Sequence, residues 1–103
     1  MITQHPNYPS YFVCGAGSSM LIHRFIAENN ELVLLPEKCS SFHFIMALDC
    51  VADKVAIGDI IDSLQMFRLK PVGDNVHFPE NFKIDRIGKS MDAKSINVVR
   101  FVN

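Results

Sequence analysis

The stretch "GDIIDSLQMFRLKP", residues 58–71, decides the fold class of this chain. Asp59 can cap a helix, and Asp62 adds a second acid in the first turn. Ile60, Ile61, Leu64 and Phe67 fall on one helical face. Arg68 and Lys70 stand in the last turn, where cations suit the helix dipole, and Pro71 ends it. Periodicity, cap, dipole and terminator together predict a helix over residues 59–69.

Other segments read as strands. "FKIDRI" sets Phe82, Ile84 and Arg86 against Lys83, Asp85 and Ile87. "SINVVRFVN" sets Ile96, Val98, Arg100 and Val102 against Asn97, Val99 and Phe101. "GKSMDAK" between them predicts an antiparallel pair, and "NVHF" a third short strand. "SFHFIMALDCV" is apolar on both faces, which suits a strand covered on both sides or a buried helix, and its Phe–His–Phe start favours strand. Pro6 and Pro9 make residues 1–10 an extended arm, expected to be dispensable for folding. The expected fold is α+β: one domain over residues 1–103, a mainly antiparallel sheet with the helix 59–69 packed on one face.

There is an alternative. "VAIGDII" and "KPVGDNVHF" each hold an apolar-Gly-Asp turn of the kind small β-barrels use. With "LQMFRL" ahead of it, the second resembles the barrel domain that follows the GTPase domain in translation elongation factors, over residues 54–78. That resemblance implies a small β-barrel with residues 59–69 in a strand, and it implies no function.

Of the 103 residues, 49% are hydrophobic and 20% charged. A domain of this size has few interior places, so part of the apolar content must lie on the surface as a patch. The expectation is a small binding module, a homodimer whose apolar groove or interface takes a protein partner or a small apolar ligand. A net charge of -1 argues against nucleic acid and anionic membranes as partners. The charge is uneven: three Lys/Arg and seven Asp/Glu up to residue 63, then seven and four. Cys14, Cys39 and Cys50 form no CxxC pair and suit a reducing cytoplasm. No secretory signal is visible, and no run reaches the ~18–20 apolar residues of a membrane span.

"YFVCGAGSSMLIHRFIAENNELVLLP", residues 11–36, has two readings. In the first, residues 20–28 are a helix capped by Ser18 or Ser19. In the second they are a strand, and "ENNE" turns into "LVLL". A helix would leave Glu28 at the negative end of its dipole, which favours the strand. A two-residue Asn-Asn turn would set Glu28 opposite Glu31, so a four-residue loop is expected.

The helical reading would create a site. Gly15 and Gly17 would let the backbone approach an anion closely, and the N–H groups of Gly17, Ser18 and Ser19 would meet it at the helix N-terminus. The missing third glycine argues against a dinucleotide fingerprint. Cys14 before the Gly/Ser loop is similar to the phosphocysteine loop of cysteine-phosphorylated subunits of the sugar phosphotransferase system, over residues 11–19. The resemblance implies Cys14 as a nucleophile and a phosphate-handling enzyme or phosphocarrier as the alternative function. Cys39 and His43 are four apart, but zinc needs about four ligands and no second pair is present. Neither a metal nor a cofactor is expected.

Overall fold

From Tyr11 onward, buried and half-buried residues alternate. Tyr11 and Val13 are buried while Phe12 and Cys14 are half-buried; Met20 and Ile22 are buried while Leu21 and His23 are half-buried. A period of two marks strands with one face in a core. The structure, a computed structural model, describes residues 1–40, 42–60, 63–90 and 101. Strands β1 (Ile2–Gln4), β2 (Tyr11–Ala16), β3 (Ser19–Ile26) and β4 (Glu31–Cys39) form one antiparallel sheet, in that order. Strands β5 (Ile45–Val51), β6 (Lys54–Asp59), β7 (Ser63–Val72) and β8 (Asn81–Lys89) form a second, again in chain order.

The inner faces share one core. Tyr11, Val13, Met20, Ile22 and Leu35 of the first sheet meet Ile45, Val55, Ile57, Phe67, Leu69 and Phe82 of the second. Polar ties at the seam fix the stacking. Ile45 N–H donates to Gly17 O at 2.8 Å, and Glu37 N–H to the Asn81 side-chain oxygen at 3.2 Å. The Tyr11 hydroxyl, on a fully buried ring, donates to Pro79 O at 2.6 Å. That bond removes the penalty a buried hydroxyl would otherwise carry.

The α+β expectation is overturned. No described residue lies in an α-helix; the only helical turn among them is a 3-10 turn, Ala27–Asn29. The described part of the expected helix is the end of β6 and most of β7. Residues 65, 67 and 69 are buried, while 64, 66 and 68 are half-buried. Gln65 hid this alternation, because a polar residue stands at a core position. Each helix signal has another physical use. Asp59 is buried and accepts a backbone N–H at 2.8 Å, as a cap would, but from His43. Arg68 and Lys70 face Asp53 and Asp85 at 3.3 and 3.7 Å rather than a helix dipole. Pro71 pairs with Phe82 on the β8 side, beyond the last β6–β7 pair, Lys54–Arg68, so its missing N–H leaves no acceptor unmet there. An isolated helix of this length is marginal in water. Hydrogen bonding on both sides, to β6 and β8, outweighs it. The barrel alternative fails too: among the described residues the strands form two four-stranded sheets, and no closed barrel is seen.

Other readings resolve as follows. Residues 20–26 are strand, and Ile26 pairs with Glu31 across a four-residue connection ending at Asn30 with φ 51°. β5 and β8 stand where strands were expected. "NVHF" forms no strand and lies in the loop between β7 and β8. The N-terminal arm is extended but docked: β1 pairs with β2, and His5 is buried. The expected strand over residues 95–102 lies outside the described residues except for Phe101, whose N–H donates to the Asp49 carboxylate at 2.7 Å.

Candidate functional site

The glycine segment is a β-hairpin. Ala16 pairs with Ser19, so Gly17 and Ser18 are the two-residue turn. Gly17 has φ +60° and Ser18 does not enter positive φ. That is the arrangement of a II′ turn, which takes Gly first. Gly15 is inside β2, pressed against Ile45 of the second sheet. Ser19 opens β3, its hydroxyl 2.9 Å from that of Ser40. The helix N-terminus that would have aimed the N–H groups of Gly17, Ser18 and Ser19 at an anion is not formed.

Cys14 projects from the opposite side of β2 to the core. Its Sγ lies 3.4 Å from His23 Nδ1 on β3. Burial pushes the thiol up from its ordinary value, against a smaller downward pull from the N-terminal ammonium. A raised thiol stays protonated, which works against a resting thiolate. Cys50 is pushed up further, to about 12, by burial and then by Asp49 and Asp53.

The register reveals what surrounds Cys14. It stands opposite Ile2 and Leu21; Phe12 stands opposite Gln4 and His23; His23 is opposite Leu34, and Phe25 opposite Leu32. Opposed residues share a face. The outward face of β1–β4 is therefore a continuous apolar surface crossing all four strands. Ile2 is 64% exposed, Leu32 56% and Leu34 54%. Apart from the His23 imidazole and Lys38 at one margin, it carries no ionisable side chain except the Cys14 thiol. The outward face of the second sheet is the reverse. Lys54, Arg68, Lys70, Lys83 and Asp85 lie on it in register.

A second feature lies where the N-terminal arm enters β2. Asn7–Ser10 and Val76–Phe78 line a cleft of roughly 390 Å³. Beneath it His5 stacks on Phe82, with centroids 5.4 Å apart, and meets the Tyr8 edge at 4.9 Å. The Arg24 guanidinium lies over Phe78 at 4.8 Å and over Tyr11 at 5.9 Å. Sequence reasoning missed this cluster. Its signal was Tyr8 held between Pro6 and Pro9, in an arm read as idle.

Among the described residues, no group of three His, Cys, Asp or Glu side chains is placed to hold a metal. No helix among them is long and apolar enough to cross a membrane. Cys39 and His43 end up on different segments, in β4 and in the connection before β5. Comparison of the chain with family models, curated proteins and solved structures found no match.

Proposed function

We propose that this chain is a self-associating interaction module, a two-fold homodimer formed by packing the outward faces of two β1–β4 sheets together. The supporting observation is the bare apolar face built from Ile2, Phe12, Leu21, Phe25, Leu32 and Leu34. Soluble monomers seldom leave so large an apolar area uncovered. A face nearly free of charge meets its own copy without repulsion, and stacked sheets settle about 10 Å apart with interleaved side chains. The charged face of the second sheet then stays in water on both outer surfaces of the dimer.

Paired variants test this reading. Leu34→Lys places a charge in the apolar face and should yield monomers by size-exclusion chromatography with light scattering. Lys70→Glu, on the charged face, should leave the dimer unchanged. Equal behaviour of the two variants would remove the support for this interface.

A second reading rests on the Cys14–His23 contact. A phosphate-handling enzyme or phosphocarrier would use Cys14 as nucleophile, with His23 accepting the thiol proton. Rapid alkylation of Cys14 in the folded protein, lost in His23→Ala, supports that reading. Protection of Cys14 until the chain unfolds supports the interaction module.

A further inference from the structure

Cys14 and His23 stand near the middle of β2 and β3, the two inner strands of the first sheet. Cys14 is opposite Leu21 and His23 opposite Phe12, which makes them a diagonal pair on one face. Cys14 Sγ lies 3.4 Å from His23 Nδ1. A hydrogen bond accounts for that approach, and so does a metal. Tetrahedral zinc, with bonds of about 2.3 Å to sulfur and about 2.0–2.1 Å to nitrogen, holds two such ligand atoms ~3.5 Å apart. The pair is therefore at the spacing of two neighbouring ligands of one ion.

Ile2, Phe12, Leu21 and Leu34 flank the two residues in register, so a thiol and an imidazole sit at the centre of an apolar face. One chain cannot complete a zinc centre: among the described residues no third His, Cys, Asp or Glu joins the pair. A second copy supplies what is missing. A two-fold axis through the middle of the interface sets the pair of one copy against the pair of the other. We propose that two chains bind one zinc ion between their β1–β4 faces, held by Cys14 Sγ and His23 Nδ1 of each copy. This site rests on the self-association proposed above. Stacked sheets lie about 10 Å apart, so an ion at the midplane is ~5 Å from each sheet, a span that one side chain and a metal bond of ~2 Å fill. The charges also balance. Each thiol gives its proton to solvent, the two thiolates neutralise the dication, and neutral imidazoles add no charge. A neutral centre suits an interface with few charged groups, where an uncompensated ion is costly. Two sulfur and two nitrogen donors favour zinc over magnesium and calcium, which take oxygen.

The full chain, stripped of metal by a chelator, is titrated with cobalt(II), which takes tetrahedral zinc sites and reports thiolate bonds by charge-transfer absorption. That signal should saturate at one cobalt per two chains and vanish on adding zinc. Cys14→Ser and His23→Gln, both on the outward face and clear of the core, should each abolish it. Cys39→Ala and Cys50→Ala should each leave it in place. Sedimentation in zinc and in chelator separates this site from the interface beneath it. Zinc should tighten the wild-type dimer at least about tenfold and leave the His23→Gln dimer unchanged. A chain that dimerises equally in zinc and in chelator, with no thiolate signal, overturns the zinc site and leaves the interface standing. A chain monomeric in both overturns site and interface together. A signal that saturates at one cobalt per chain, or that survives Cys14→Ser, overturns the site as well.

Discussion

Gly15 and Ile45 meet where the two sheets touch: a Cβ at position 15 would come 2.8 Å from Ile45 Cγ2. The Ile45 branch is stiff and buried, so it has little room to yield. Gly15 is therefore a packing residue that lets β2 approach β5. Gly17 has open space around it and is required for its φ of +60° alone.

Substitution separates these two roles. Gly15→Ala should cost about 1–3 kcal/mol by overpacking, and in combination with Ile45→Ala, which removes the clashing Cγ2, the two losses should sum to less than their separate values. Gly17→Ala should cost about 1–2 kcal/mol through the backbone, a loss that adds in full to that of Ile45→Ala. Urea denaturation of the three single and two double variants measures both effects.

Ala52 turns β5 into β6 with φ 52°, a conformation that a residue with a Cβ adopts at a cost of roughly 1–2 kcal/mol. Glycine removes that cost but loses about 0.5–1 kcal/mol more backbone entropy on folding. Ala52→Gly should therefore raise stability, by up to about 1 kcal/mol. A higher urea midpoint with an unchanged denaturant slope is the expected result.

His5 gives stability a pH dependence. Burial lowers its pKa below the ordinary 6.5, against a smaller upward influence of Asp53. Between the lowered folded value and 6.5 the unfolded chain binds the proton and the folded chain does not. Stability contributed by neutral His5 is thus complete above 6.5 and declines as pH falls below it, by at most about 1.4 kcal/mol per pH unit. His5→Gln should flatten this part of the curve relative to wild type. Denaturation at a series of pH values from about 5 to about 8, spanning the ordinary histidine pKa of about 6.5, measures the difference.

Strand periodicity was legible wherever polar and apolar residues alternate on their own. β8 and the strand–loop–strand form of β3–β4 follow from the residues; the four-residue loop keeps Glu28 away from Glu31 but occupies residues 27–30, one residue ahead of the expected "ENNE". Residues 59–69 misled for a physical reason. Asp59 is a real backbone acceptor and Arg68 a paired cation, but their partners are distant in the chain, and Pro71 lies within β7, paired with Phe82. Gln65 inside the core removed the one pattern that would have revealed a strand. The surface patch was expected from composition, yet its location required the register. Only pairing Cys14 with Ile2 and Leu21, and Phe25 with Leu32, places these residues on one face. The arm is extended as expected, but its two prolines argue only against helix and say nothing about its docking on β2. His5 earns its burial through ring stacking with Phe82.

Sedimentation equilibrium of the unmodified chain over micromolar concentrations tests the proposed self-association most directly. A molar mass twice that of the chain, falling to the monomer value in Leu34→Lys while its circular dichroism stays that of an antiparallel sheet protein, is the predicted result. A wild-type protein that remains monomeric at every concentration would contradict it.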